Sequence, residues 1–306
     1  MPHTYAVILA AGQGTRMKSK THKVLHPIGG KPMIEHIVST MEQLGVEQTV
    51  VVVGFEAEAV QQYLGDRVRY ALQKEQLGTG HAVRQAEMYL KGLPGTTLVI
   101  NGDNPLITVD TYRDFVHDFK GRQVAASMLT AVIDNPVGYG RVLRSPEGDV
   151  ERVVEEKDAN AAERKLREIN TGTFCFDNTQ LFAALRKVTN DNAQGEYYLP
   201  DVLSVLREAG QKISAFCVDD ASETVGINNR VQLQEAEAIF RKRTLERHML
   251  AGVTIVDPGS TYIEADVAIG MDTTILPGTT LRGHTVIGED CVIGPNADIR
   301  DCRIAD

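Results

Sequence analysis

Several things are scarce in this 306-residue chain, and each shortage removes a class of function. Positive charge is outweighed: 32 lysines and arginines against 41 aspartates and glutamates leave a formal net charge of −9. Non-specific nucleic-acid binding rests on neutralising phosphates with cations, so a broadly acidic chain is a poor match for it. A nucleotide can still be held if cations gather at one site. Cysteine is sparse. Cys175, Cys217, Cys291 and Cys302 form no CxxC pair and no tight Cys/His cluster at zinc spacing, so they read as reduced thiols of a cytosolic protein. Long apolar runs are missing. The stretch Tyr5 to Ala11 is too short for a signal peptide or a membrane span, which makes a cytoplasmic protein with no membrane partner the expectation. No Ser–His–Asp or Cys–His arrangement stands out. The opening loop is neither GxxxxGK[ST] nor GxGxxG, so the standard ATPase and dinucleotide labels do not apply.

What is present is ordinary in bulk: 42% hydrophobic and 24% charged residues, the balance of a globular chain, with a length that allows roughly two domains. Along the first half, "YAVILA", "TVVVVGF" (Thr49 to Phe55) and "TLVINGD" (Thr97 to Asp103) are short, continuously apolar and rich in β-formers, the pattern of strands buried on both faces. Helical patterns lie between them at Met33 to Leu44, Ala57 to Leu64 and Thr79 to Leu90. Alternation of this kind predicts βαβ units and a mostly parallel sheet covered on both sides. Ligands of such sheets sit beyond the carboxyl ends of the strands, where the opening loop and "NGDNPLI" would both lie. Further on, "VAASMLTAVI" and "EINTGTFCFD" read as strands, and "YGRVLRSPEGDVERVVEE" as a hairpin turning at Pro146–Gly148. "EYYLPDVLSVLREAG" and "NRVQLQEAEAIFRKRTLERHMLAG" read as helices ending at Gly210 and Gly252. The basic cluster Arg241 to Arg243 reads as a solvated face.

A different regime follows. Ile263, Ile269, Ile275, Leu281, Ile287, Ile293 and Ile299 recur every six residues. Two positions before six of them stand compact residues: Val267, Thr273, Thr279, Thr285, Cys291 and Ala297. A period of six fits neither a helix nor an alternating strand. It is the pattern of a triangular parallel β-helix with one face per hexapeptide. About two and a half coils fit before Asp306, and because stacked coils need a cap, the chain reads as part of a longer protein.

Four sets of residues could carry chemistry. In "LAAGQGTRM" with Lys23, Gly12 and Gly14 permit unusual dihedrals and close backbone approach to a ligand. Ala10 and Ala11 leave room for a flat ring, while Arg16 and Lys23 suit phosphate. In "NGDNPLI", Asp103 emerges at the ligand edge, and one carboxylate plus triphosphate oxygens is a usual way to hold Mg²⁺; a helix N-cap or turn would also use it. In "KEQLGTGHAV", Gln73, Gly78 and Thr79 suit the edge of a nucleobase, although Thr79 could equally be an N-cap, and His81 reads as structural. Gly140, Glu155, Asn170 and Asn228, in "NPVGYGR", "VVEEKDA", "EINTG" and "GINNR", offer the groups that fix sugar hydroxyls.

These motifs occur in one order together with "EQLGTGHA" and "NAQGEYY", and the hexapeptide array follows. The whole chain closely resembles the first part of the bacterial bifunctional N-acetylglucosamine-1-phosphate uridylyltransferase / glucosamine-1-phosphate acetyltransferase family. The resemblance implies a Rossmann-like nucleotidyltransferase domain over residues 1–228, with a mixed, mostly parallel sheet. A linker helix over 229–252 and the start of a left-handed parallel β-helix over 253–306 would follow. It implies that UTP and N-acetylglucosamine 1-phosphate give UDP-N-acetylglucosamine and pyrophosphate, with Mg²⁺. It assigns Leu9, Ala10, Ala11, Gly12, Gln73, Gly78 and Thr79 to the uridine, Arg16 and Lys23 to the phosphates, Asp103 and Asn228 to the metal, and Gly140, Glu155 and Asn170 to the aminosugar. Asn101 and Pro200 depart from the family's usual residues. Acetyl transfer uses later coils, so it is expected to be absent from these residues. The family's β-helix forms trimers, which leaves the oligomeric state of this stretch open. The rival expectations are a nucleotidyltransferase for another hexose 1-phosphate and a catalytically silent nucleotide-sugar sensor.

Overall fold

The computed structural model of the chain describes residues 3–54 and 56–306, so the end of the predicted strand Thr49 to Phe55 lies, at Phe55, outside the described residues. The chain divides into two compact units: Met1–Leu25 with Ile34–Gly226, and His26–Met33 with Ile227–Asp306.

The first unit is built on a nine-stranded sheet. Its elements in chain order are β1 (Thr4–Ala10), α1 (Met33–Leu44), β2 (Gln48–Val53), α2 (Ala57–Leu64), β3 (Arg69–Leu72), α3 (Thr79–Gln85), α4 (Glu87–Leu90) and β4 (Thr96–Asn101). There follow α5 (Val109–Arg122), β5 (Ala126–Val132), β6 (Gly140–Arg144), β7 (Val150–Val154), β8 (Glu168–Asp177), α6 (Asn178–Leu185), α7 (Asp201–Glu208) and β9 (Ile213–Cys217). Spatial order along the sheet is β9-β5-β8-β4-β1-β2-β3, with the β6–β7 hairpin joined to β8. Parallel pairing runs through β4-β1-β2-β3 and through β5-β9, whereas β8 is antiparallel to β4, β5 and β6.

The apolar runs alternate between two cores. Tyr5, Val7, Val50, Val52 and Val99 enter one, and Ala6, Ile8, Ala10, Val51, Val53, Leu98 and Ile100 enter the other. A strand with both faces buried has no polar position, which is why these segments read as unbroken hydrophobic stretches. Each fully buried Ile or Val contributes about 1.5–3 kcal/mol relative to exposure.

Two helices differ from the expectation. The pattern Thr79 to Leu90 is two helices, because Ala86 at φ −75°, ψ −11° interrupts the α geometry. The helix expected from "EYYLP" begins at Asp201. Pro200 has no N–H and pushes the residue before it away from the helical region. Tyr197 instead donates to Leu77 O at 2.8 Å and accepts from Gly80 N–H at 2.7 Å.

In the second unit, α8 (Arg230–Leu250) starts at Asn229, whose side chain accepts from the N–H groups of Val231 and Gln232. Three sheets of three short parallel strands follow. Tyr262 pairs with Thr280 and Thr280 with Asp298; Ala268 pairs with Val286; Thr274 pairs with Val292. Each of these partners is three hexapeptides further along, one turn of a three-sided coil. Ile263, Ile275, Leu281, Ile287 and Ile293 fill its core, and Thr261, Thr273, Thr279 and Thr285 are wholly buried beside them. Arg241, on the expected solvated face, makes exposed hydrogen bonds to Pro258 O at 2.9 Å and to Gly259 O. A guanidinium reaches carbonyls that a short polar side chain would miss. No helix among the described residues is long and apolar enough to cross a membrane.

Candidate active site

Parallel neighbours β1 and β4 end together, with Leu9 in register with Asn101. The loops that follow them therefore start side by side, tied by Gly102 N–H to Leu9 O at 2.9 Å. Lys23 and Asp103, 80 residues apart, meet here in an ion pair whose side chains are 14% and 18% exposed. Two opposite charges so enclosed hold each other in place and leave an ammonium and a carboxylate fixed at the carboxyl edge of the sheet.

A second wall comes from the segment after β3. Gln73 is buried; its Nε2 donates to Gly78 O at 3.1 Å and lies 3.1 Å from His81 Nδ1. That use of the amide nitrogen leaves the Gln73 carbonyl oxygen as the acceptor available to a ligand. Gly78 sits at φ 101°, ψ 176°, and a Cβ there would stand 2.7 Å from Tyr197 O. Only glycine lets the turn lie against that backbone. The Thr79 hydroxyl does not cap its helix; it accepts from Leu199 N–H at 3.0 Å. His81 lies between Gln73 Nε2, 3.1 Å from its Nδ1, and Gln85 Nε2, 3.2 Å from its Nε2.

Between these walls lies a cavity of about 350 Å³. Leu9, Ala10, Ala11, Gly12, Lys23, Gln73, Gly78, Thr79 and Asp103 all line it, and so do Asn101, Gln76 and Glu196. Gln76 escaped sequence reading. Its Nε2 donates to Ala11 O at 2.7 Å across 65 positions and straps the glycine loop; only its place in "EQLGTG" hinted at this. Of the two loop glycines, Gly14 is left-handed at φ 61°. Gly12 is not, and a Cβ there would meet nothing within 4 Å, so the expectation of an unusual dihedral fails at Gly12. Arg16 is exposed on the turn Thr15–Met17 and is not among the lining residues.

Gly140, Glu155 and Asn170 form a separate group in the same unit. Asn170 is in register with Gly140 across β8 and β6. A Cβ on Gly140 would stand 3.2 Å from Glu155 Oε1 and 3.5 Å from Asn170 Cβ. Burial, reinforced by Asp158, Asp201 and Glu196, raises the Glu155 carboxyl to about 7. Asn228 belongs to the second unit, where its N–H donates to Gln232 Oε1 at 2.8 Å.

Among the described residues, no three His, Cys, Asp or Glu side chains cluster as an all-protein metal cage. Asp103 offers one hard carboxylate at the cavity edge, which fits Mg²⁺ bound through one or two protein oxygens and substrate phosphates. It does not suit a metal that needs several protein ligands.

Residues 5–230 match the nucleotidyl transferase family and residues 266–301 the bacterial transferase hexapeptide family of six repeats. The chain is 57% identical over 304 residues to the bifunctional protein GlmU of Geobacillus sp. (strain WCH70), covering 99% of this chain and 66% of that one. It is 54% identical over 305 residues to GlmU of Brevibacillus brevis, covering 100% and 66%. The chain thus spans 66% of the length of these relatives. A solved chain named for a glucose-1-phosphate thymidylyltransferase of Bacillus anthracis, in complex with a sucrose, superposes with a TM-score of 0.63 at 23% identity over 78% of this chain and 95% of that one. That likeness concerns the fold alone. By the first match and the relatives together, the chain belongs to the nucleotidyl transferase family, in the branch of the bifunctional GlmU proteins.

Proposed function

We propose that this chain is a uridylyltransferase that makes UDP-N-acetylglucosamine and pyrophosphate from UTP and N-acetylglucosamine 1-phosphate. The observation that carries this reading is the enclosed Lys23–Asp103 pair on a cavity walled by a glycine loop and by Gln73, Gly78 and Thr79. A volume of about 350 Å³ lies in the range of small-ligand pockets. The Gln73 carbonyl oxygen supports uracil, whose ring N–H is a donor. Gly140, Glu155 and Asn170 offer a backbone face, a carboxyl and an amide, the groups expected to fix an aminosugar.

A phosphate oxygen of the sugar phosphate attacks the α-phosphorus of UTP. A new P–O bond forms, the α–β bridging P–O bond breaks, and the electron pair leaves on pyrophosphate. A phosphomonoester has a second pKa near ~6, so it arrives as an anion and no side chain needs to take its proton. The residues then have two tasks: to bring two polyanions together in line, and to spread charge onto the leaving group. Lys23 serves the second with a fixed ammonium, and Arg16 adds a guanidinium from the same loop. Asp103 keeps Lys23 from swinging out. Asp103 is the residue of this unit that would hold Mg²⁺, which would neutralise phosphate charge when bound.

The test is pyrophosphate release from UTP with N-acetylglucosamine 1-phosphate, with and without Mg²⁺, beside a panel of other nucleotides and hexose 1-phosphates. Preference for another pair would reassign the substrate. No release with any pair would leave a binding protein.

A further inference from the structure

We propose that a cleft along the outer edge of the nine-stranded sheet binds a small polyanion, a ligand bearing carboxylate or phosphate groups. The cleft measures about 560 Å³, and Arg122, Arg144, Arg207 and Lys212 line it with Asp149 as the single carboxylate among the lining residues. In a chain of net charge −9, four cations on one concave wall run against the average. They arrive from separate elements: the end of α5, the end of β6, α7, and the residue before β9.

Two of them are already oriented. Arg144 grips Glu168 through Nε and Nη2 at 2.7 and 2.6 Å and donates Nη1 to Gly148 O at 2.8 Å. Among the described residues Arg122 bonds only through Nε, to Asp118 at 2.7 and 2.9 Å, which leaves both Nη groups over. Arg207 donates Nη1 to the Glu151 carbonyl at 2.9 Å, and neither Arg207 nor Lys212 joins an ion pair among the described residues.

The sheet edge adds a neutral donor. Among the described residues β9 pairs only with β5. Lys212 O accepts from Ala125 N–H and Val218 N–H donates to Thr130 O, so the even-numbered residues of this segment face β5. In a parallel ladder the intervening residues turn their backbone groups the other way. The N–H of Ala215, a cleft-lining residue, therefore points outward. Two uncompensated cations, two braced guanidinium groups and a backbone N–H make the chemistry of an anion site. The competing description is a solvated basic edge that repels other strands, and it predicts no saturable binding.

The experiment is calorimetric titration of the full chain, in buffer free of nucleotide and divalent cations, with citrate in one arm and tripolyphosphate in the other. Hydrogen exchange then locates any binding. Saturable binding of at least one probe is expected, weakening with added salt and slowing exchange around residues 144–151 and 213–215. The arm that binds more tightly separates carboxylate from phosphate ligands. Arg207→Gln with Lys212→Gln, both on exposed side chains, should lower affinity at least about tenfold, equivalent to about 1.4 kcal/mol, and Lys212→Arg should retain it. No saturable binding in either arm, equal affinity in the double variant, or protection confined to residues 9–16 would overturn the proposal.

Discussion

Replacing Gly12 by alanine separates what the fold asks of the glycine loop from what a ligand asks of it. Gly12 lies outside the left-handed region, and a Cβ there meets no atom within 4 Å. With no strain to oppose it, the substitution should act on the unfolded chain and stabilise by roughly 0.4–1 kcal/mol. Gly14 is the internal comparison. At φ 61° its Cβ would land 2.6 Å from Lys23 Cβ. A left-handed alanine costs about 1–2 kcal/mol by itself, and the contact additionally forces Lys23 to move. At about 2–4 °C per kcal/mol for a unit of this size, Gly12→Ala should melt at or above the wild-type temperature and Gly14→Ala several degrees below it. Activity should part from stability. Gly12 lines the cavity and a Cβ there would take up open space, so KM for UTP should rise at least about tenfold, the effect of losing about 1.4 kcal/mol of binding. Gly14→Ala should instead lower kcat by displacing the Lys23 ammonium. Thermal denaturation followed by pyrophosphate-release kinetics checks both. If Gly12→Ala melts as low as Gly14→Ala, or keeps wild-type KM, the claim that a ligand rather than the fold demands glycine there is wrong.

Other consequences follow from named groups. Lys23→Ala should slow turnover by roughly 10²–10³, the scale of one preorganised electrostatic contact, and Arg16→Ala, on an exposed side chain, should slow it less; near-normal turnover of both would remove them from the chemistry. Burial raises the Glu155 carboxyl to about 7. A raised acid favours its protonated form in the fold, so the stability it contributes at low pH is lost as pH climbs from about 4.5 to 7. Glu155→Gln should therefore be more stable than wild type at pH 8 by on the order of 2 kcal/mol, with little difference at pH 5, in chemical denaturation. The His248 ring, lowered to about 4 by burial and then by Arg247, has the opposite sense. Its neutral form suits the fold above the unfolded value of 6.5, so stability of the second unit should drop as pH falls from 6.5 towards 4. His248→Gln should flatten that part of the melting profile, and an unchanged slope would show that another group titrates there.

Much of the architecture was legible in the chain because it depends on periodicity. Strands buried on both faces have no polar positions, and "YAVILA" and "TVVVV" announced themselves by that alone. The hexapeptide rhythm predicted pairing three repeats away, which the Tyr262–Thr280–Asp298 register displays. The opening loop was visible as a cationic, glycine-bearing break after a buried strand. Elements whose limits depend on distant contacts were misread. The segment before Pro200 looked helical by composition, yet Tyr197 gives its backbone to Leu77 and Gly80.

Local order, then, was settled by the chain itself: which stretches are strand or helix, where the glycine turns fall, and the six-residue repeat, since each is a property of neighbours a few residues apart. Proximity was settled only by the folded sheet. That Lys23 meets Asp103, that Gln76 straps Ala11, that Tyr197 presses on Gly78, and that β8 runs antiparallel between β4 and β5 are pairings across tens of residues or more. No spacing rule encodes such pairings. They arise when burial of two hydrophobic faces brings particular strand ends together, and the reactive groups are carried there with the backbone.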